Sequence, residues 1–273
     1  MLLSIITPSY NQGCFIEKTI KSVKEQNYKN VEHIIFDNES LDETPTILDK
    51  YKNTINFHIE SDKGHSHAIN KGFKLAKGEI IAWINSDDIY HKNIFGKVMN
   101  FFKNNPSVDV VYGDANHIDV NDNQINLYDT ENWDKKRLKD VCFICQPTVF
   151  FRKKIFTKVG YLDEKLHYCM DYDYWIRFSK QGLKVSRLKL LMAGSRLYES
   201  NKTLGSRLKV HTEINYMLKK NYKYTPDKWI FNYAHIKTDE LSIKRDRKYI
   251  YLFFITVFTF YASLRWNKKI SAR

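Results

Sequence analysis

Within the first 113 residues, short apolar runs alternate with amphipathic segments of about ten residues, and this alternation constrains the fold more than any other feature. Leu2 to Thr7 reads as a first buried strand, ended by Pro8. Apolar Phe15, Ile16, Ile20 and Val23 then recur at helical spacing, which predicts a helix over 15–26. Strands follow at Val31 to Phe36, Ile55 to Ile59, Glu79 to Ile84 and Val108 to Tyr112. Helices fall between them at Thr44 to Tyr51, Ser66 to Ala76 and Ile94 to Lys103. Strands alternating with helices of this length build βαβ units and hence a parallel sheet.

After Gly113 the pattern changes. Residues 115–128 alternate around Asn121-Asp122-Asn123 as in a hairpin. Ile144 to Phe151 reads as another strand, Asp171 to Lys180 as a helix, and Val185 to Tyr198 as an extended stretch. The first half is therefore an α/β nucleotide-type fold, to which the second half adds mixed sheet and a helix. A chain of 273 residues suits one large α/β domain, alone or with an appendage. No internal repeat and no signal-peptide pattern is found. Neither Gly-x-Gly-x-x-Gly nor a Walker loop follows the first strand, which excludes dehydrogenases and kinases of those kinds.

Charge is distributed unevenly. The net charge is +13, yet residues 201–273 hold 16 Lys/Arg against 5 Asp/Glu, or +11, leaving only +2 for the first 200. A basic tail on a nearly neutral body points to an anionic surface, either nucleic acid or the inner face of a membrane. Four cysteines in a chain this long are no disulfide framework, so reduced thiols and a cytoplasmic protein are expected. Cys142 and Cys145 with His167 and Cys169 could supply zinc ligands, although the second pair is poorly spaced.

Polar residues recur where the strands end: Thr7-Pro8-Ser9-Tyr10-Asn11, then Asp37 to Asp42, then Asp62-Lys63-Gly64, then Asn85-Ser86-Asp87-Asp88. In a parallel sheet these four ends lie along one edge, where open α/β sheets bind ligands. Adjacent carboxylates such as Asp87 and Asp88 repel each other unless a cation or hydrogen-bonding ligand neutralises them. A divalent metal carrying a phosphorylated substrate would do so, since hard cations take carboxylate and phosphate oxygens together. The alternative is a capping or turn pair, and Ser40-x-x-Glu43 likewise resembles a capping box.

These motifs, read in order, resemble a family 2 glycosyltransferase of the GT-A fold. The resemblance rests on Ser4 to Asn11, Asp37-x-x-Ser40-x-Asp42-x-Thr44, Asp62-Lys63-Gly64 with Ala68 to Gly72, and Gly78 to Ile81 with Asn85 to Asp88. Gln146-Pro147-Thr148 and Asp171 to Arg177 extend it, so that it covers roughly residues 2–205. It implies a GT-A-like fold with a mostly parallel central sheet flanked by helices and a C-terminal helical extension. It also implies a glycosyltransferase domain over 1–205, with a nucleotide-sugar-binding half at 1–113 and an acceptor half at 114–205. Residues 206–273 form a basic helical tail.

Roles carry over residue by residue. Thr7, Pro8 and Tyr10 would shape the nucleotide pocket, and Asp37 would bind the base or ribose. Asp62, Lys63 and Asn70 would lie near ribose and diphosphate. Asp87 and Asp88 resemble the metal motif for Mn²⁺ or Mg²⁺, with Asp88 as ligand and Asp87 nearer ribose and sugar. Asp171 resembles the catalytic base, while Gln146 and Trp175 fall on the acceptor side. Two departures stand out: Asn85 occupies a place where many members have Asp, and Tyr198 follows Arg196-Leu197 where many have His.

The implied chemistry suits the residues. Sugar transfer needs a cation for the departing diphosphate, a base for the acceptor hydroxyl, and in-line alignment, which inverts the anomeric centre. Asp171 and Asp173 point to nearly opposite sides of a helix, so Asp173 is expected to cap or pair outside. Asp171 as a plain N-cap and Trp175 as a core residue remain alternatives. His65 and His67 read as surface histidines beginning a helix or as phosphate contacts, and Lys202-Thr203 as a diphosphate contact or a solvated loop.

Residues 249–264 carry no charge, with Lys244, Arg245, Arg247 and Lys248 before them and Arg265, Lys268, Lys269 and Arg273 after. Sixteen helical residues span roughly 24 Å, short of the roughly 30 Å hydrocarbon core. A helix lying in the cytoplasmic leaflet is expected, with Thr256, Thr259 and Ser263 on a polar stripe; packing on the domain or a partner subunit is the alternative. The leading expectation is an inverting, metal-dependent hexosyltransferase. It would move a sugar, UDP-linked in the family-level reading, to a glycan or lipid-linked glycan in bacterial surface-polysaccharide synthesis. It would sit peripherally on the inner face of the plasma membrane and bind no nucleic acid, with monomer and oligomer both left open. The competing readings are an inactive sugar-nucleotide-binding relative and a nucleic-acid-binding protein driven by the basic tail.

Overall fold

The structure, a computed structural model, describes residues 1–199, 201, 205–243 and 245–268. The chain divides into two compact units. The first comprises Met1–Asp134, Phe143–Lys165 and Arg177–Tyr198, and the second Lys135–Cys142, Leu166–Ile176 and Glu199–Arg273.

A nine-stranded sheet fills the first unit. Strand β1 (Leu3–Ser9) has every residue buried, because it runs between β2 (Val31–Asp37) and β4 (Ile80–Trp83) with both faces covered. Strand β3 (Asn56–Ile59) adds to β2, and all these pairings are parallel. The register sets Ser9 opposite Asp37, Asp37 opposite Ile59, and Ile6 opposite Trp83. The four polar strand ends therefore do emerge at one edge. Helices α1 (Ile16–Lys24), α2 (Thr44–Lys50) and α3 (His65–Leu75) supply the crossovers. Gly72 lets α3 approach β1 closely: a Cβ there would sit 2.5 Å from Ile6 Cγ2.

The rest of the sheet is mixed. After β5 (Ile89–Tyr90) and α4 (Phe95–Asn104) comes β6 (Val110–Ile118), which pairs antiparallel with β7 (Gln124–Leu127) as the hairpin pattern predicts. The stretch expected to break at Gly113 is one strand, because β9 (Val185–Arg196) pairs with it in parallel and absorbs the break as register shifts from Gly113 to Ala115. The strand expected over Ile144 to Phe151 forms only as β8 (Phe150–Arg152), preceded by a 3₁₀ turn at Gln146–Thr148. Pro147 has no N–H for a ladder, and Thr148 Oγ1 bonds Cys145 O instead. A short helix, α5 (Phe156–Val159), follows. Ile80, Phe95, Phe102, Val111, Phe150 and Met192 form a dry core between the sheet and α4.

In the second unit α6 (Met170–Lys180) begins, running into the first unit after Ile176. Helices α7 (Arg207–Tyr222), α8 (Asp227–Glu240) and α9 (Lys248–Asn267) complete it. Lys223, in the left-handed region at φ 69°, ends α7, and Pro226 starts α8. The start of α9 (Tyr251, Ile255) packs on Ala234 and its end (Ala262, Trp266) on Ile230 and Tyr233, so α8 and α9 run antiparallel. Thr225 and Asn267 exchange two hydrogen bonds of 2.7 and 2.8 Å that pin the far end of α9. One stripe of the uncharged tail thus packs on protein.

Candidate active site

The turn after β4 carries Asp87 and Asp88, held from two sides. Thr19 Oγ1 on α1 donates to the carbonyls of Ser86 and Asp88. The end of β9 supplies the other side. The Arg196 N–H donates to Asp88 Oδ1 at 2.8 Å and its Nε to the Asp87 carbonyl at 2.7 Å. The same buried guanidinium bonds the Asp119 carbonyl and Asp122 Oδ1, and lies 4.7 Å from the centre of the Phe15 ring. Asn85 Nδ2 donates to Asp88 Oδ2 at 3.2 Å, and Tyr198 OH to Asp87 Oδ2 at 2.9 Å.

This arrangement compensates the pair only in part. Burial, then the neighbouring Asp87 charge, push the Asp88 carboxyl up to about 8, and burial also raises Asp87. A cation would relieve both causes. Among the described residues no group of three His, Cys, Asp or Glu side chains forms a closed cage. Two carboxylates suit a hard divalent ion that keeps ligand and water oxygens, so the donor set fits Mg²⁺ or Mn²⁺. Asn85 Oδ1 also meets His65 Nε2 at 3.0 Å, which ties the start of α3 to this turn.

The loops after β1 and β2 are cross-linked. Asn11 N donates to Ser40 Oγ, Leu41 N to Asn11 Oδ1, Gln12 N to Thr44 Oγ1, and Gly13 N to Asp42 Oδ2. Asp37, fully buried, accepts from Ser40 N and Oγ. Ser40 is therefore engaged away from the helix, and Asp42 Oδ1 caps Thr44 N in place of the expected Ser40/Glu43 box. The repeated Asn, Ser, Asp and Thr of these motifs act largely as scaffold. Thr7 and Pro8 are buried, with Thr7 Oγ1 2.9 Å from His33 Nε2, whereas Tyr10 is exposed at the rim. Burial holds the His33 imidazole down to about 3, so it stays neutral.

Asp62 Oδ1 accepts from Gly64 N at 2.6 Å, and Asp62 N donates to Asn38 Oδ1, while the Lys63 side chain is exposed. Asn70 is buried with its amide engaged: Oδ1 accepts from Leu162 N, and Nδ2 donates to Leu162 O and Glu164 Oε1. Gln146 is buried too, donating to Trp83 O at 2.7 Å.

In the second unit Asp171 stands in the first turn of α6 and accepts from Tyr172 N at 2.7 Å. Burial, with a smaller contribution from Glu213, raises its carboxyl to about 6. Glu213 on α7 went unnoticed in the sequence. Its carboxylate accepts from the N–H groups of His167, Tyr168 and Cys169 and so fixes the approach to α6. Asp173 pairs rather than caps, but in a buried position: it accepts from Asn221 Nδ2. The α7 helix, which the sequence reading left undivided within the tail, covers that side. Trp175 is fully buried. Cys14, Cys142, Cys145 and Cys169 form no disulfide with one another, and Lys202, Thr203, Lys244, Lys269 and Arg273 lie outside the described residues.

Residues 4–160 match the sequence profile of Glycosyl transferase family 2. A protein named uncharacterized glycosyltransferase from Rickettsia typhi is 30% identical over 190 residues, 65% of this chain and 58% of that protein. The chain thus spans 58% of the length of this relative, and the same share of its Rickettsia prowazekii counterpart. One from Methanocaldococcus jannaschii is 27% identical over 81% of this chain and 80% of that protein. In fold the chain resembles S. aureus TarS 1–349 in complex with UDP-GlcNAc (TM-score 0.62, 19% identity, 90% of this chain and 74% of that one). It also resembles mannosyltransferase PcManGT of Pyrobaculum calidifontis in complex with GDP-Man and Mn²⁺ (TM-score 0.65, 13% identity, 98% and 88%). With a GT-A fold and a profile match over more than half its length, the chain belongs to glycosyltransferase family 2.

Proposed function

We propose that the protein is an inverting, metal-dependent hexosyltransferase that moves a sugar from a nucleotide-sugar, UDP-linked by preference, to a hydroxyl of a glycan or lipid-linked glycan in bacterial surface-polysaccharide synthesis. The observation that carries this reading is the under-compensated carboxylate pair Asp87–Asp88 at the ligand-binding edge of a parallel sheet. Mn²⁺ or Mg²⁺ held by Asp88 and Asp87 would stabilise charge on the departing diphosphate.

The chain's own residues do the rest. Tyr10 offers an exposed ring to the base, over a floor built by Thr7, Pro8 and Asp37. Asp62 and Lys63 flank ribose and diphosphate, with Asn70 supporting them by anchoring the 162–164 loop. Asp171 takes the acceptor proton; a carboxyl raised to about 6 is still mostly ionised at neutral pH yet basic enough to serve. Gln146 and Trp175 belong to the acceptor side. Residues 1–113 form the donor half, 114–205 the acceptor half, and 206–273 the basic tail, which keeps the cytoplasmic enzyme at the inner face of the plasma membrane. Proteins of the same fold in complex with UDP-GlcNAc and with GDP-Man support a nucleotide-sugar donor.

A panel of UDP-, GDP- and TDP-sugars tests the reading through binding and hydrolysis with Mn²⁺ or Mg²⁺. One nucleotide class is expected to bind and to lose affinity in EDTA. No binding by any donor would remove the assignment.

A further inference from the structure

We propose that the outward face of α9 is a lipid-docking surface on which the protein lies, the helix parallel to an anionic bilayer and still paired with α8. This deepens the peripheral location proposed above by naming the contact and excluding a span. The helix has two unlike faces. Tyr251, Ile255, Ala262 and Trp266 are buried within the helical unit. On the other side Tyr249, Phe253, Val257, Phe260, Tyr261 and Leu264 are exposed, Tyr249 by 86% and Phe253 by 63%. An apolar face of this size on a helix is unusual for a surface left in water.

Charge decides the occupant. No Asp or Glu occurs in Lys248–Asn267; at one end exposed Arg245 (paired with Asp239), Arg247 and Lys248 outnumber Asp246, and at the other stand Arg265 and Lys268, so both ends keep a net positive charge. A second copy packed on this face in either direction would bring cations against cations, because both ends carry the same sign. A surface of anionic headgroups matches both ends at once, while Tyr and Phe between them suit the headgroup–acyl boundary.

Geometry excludes a span. Although α9 has the length and mean hydropathy of a crossing helix, its inner stripe is committed to α8. Helix α8 carries Asp227, Lys228, Asp239 and Glu240, and could not follow into hydrocarbon. Crossing alone would break Tyr251 OH to Asp239 and the Thr225–Asn267 pair, and expose Trp266.

The test is co-sedimentation of the full chain with vesicles of phosphatidylcholine alone or mixed with phosphatidylglycerol, alongside Phe253→Asp/Phe260→Asp and a sizing measurement without lipid. Binding is expected only to the mixed vesicles, weakening as salt rises. The double variant should lose about tenfold or more of it while keeping a native circular dichroism spectrum. Donor binding by the variant should equal that of the parent, so failure here is separable from failure of the glycosyltransferase reading. Equal binding to both vesicle types, an unaffected variant, or a lipid-free dimer abolished by the same substitutions would overturn the proposal, the last in favour of a second copy.

Discussion

Replacing Asp88 by Asn should stabilise the ligand-free protein at neutral pH while destroying its response to a divalent cation. Asp88 is 3% exposed, and burial together with Asp87 pushes its carboxyl up to about 8. In the unfolded chain the group titrates near pH 4. Because the folded value is the higher one, the folded state holds a proton that the unfolded state releases. Its contribution to stability is complete below about pH 4 and is lost as pH rises toward about 8. At pH 7 this loss is on the order of 4 kcal/mol. The substituted amide would still accept the Arg196 N–H through its oxygen, but its nitrogen would face Asn85 Nδ2, returning about 1–3 kcal/mol of the gain. A net stabilisation of roughly 1–3 kcal/mol at neutral pH is expected. Urea unfolding of both proteins at pH 5 and pH 8 measures it: the gap should widen with pH, and Mn²⁺ plus a nucleoside diphosphate should raise the parent only. A variant less stable than the parent at pH 8, or a gap independent of pH, would show that Asp88 is not held protonated in the folded protein.

Asp171→Asn should lower transfer by about 10²–10⁴ with donor affinity unchanged, and the parent's rate should climb as pH rises through about 6, where the base ionises; preserved turnover removes Asp171 from that role. Tyr198→Phe keeps its ring beside Phe15 but loses the bond to Asp87, so about 1–3 kcal/mol of stability and part of the Mn²⁺ affinity should go; unchanged metal titration would show the hydroxyl to be idle. His33, buried and held down to about 3, gives stability that is present above about pH 6.5 and declines as pH falls toward 3; His33→Gln should flatten that acid limb, and an unaltered acid limb in the variant rejects the assignment. Gly72→Ala should cost about 1–3 kcal/mol in chemical denaturation because Ile6 must move; a gain would mean that α3 and β1 separate freely.

The parallel half of the fold was legible because its strands are buried on both faces and read as unbroken apolar runs, as in β1 and β4. The mixed half was harder. Gly113 looks like a break, yet pairing with β9 carries β6 through it, and Pro147 shortens β8 where the apolar run suggested more. Helices α7 and α8 escaped division because their buried sides include polar residues such as Asn215 and Thr238, which blur the apolar periodicity. Within the site, the position of Asp87 and Asp88 was readable from the strand before them. The duties of Ser40, Asp42, Asn70 and Glu213 were not, since each bonds a backbone group 29 to 92 residues away or a neighbour whose approach only the fold decides.

The most direct measurement is calorimetric titration of UDP and, separately, GDP into the parent, Asp87→Asn and Asp88→Asn proteins, each with Mn²⁺ and with EDTA. One nucleotide is expected to bind the parent in Mn²⁺, EDTA to weaken it about tenfold or more, and neither variant to gain from the metal. Equal affinity in Mn²⁺ and EDTA, or full metal enhancement in either variant, would contradict a cation–diphosphate site at Asp87–Asp88.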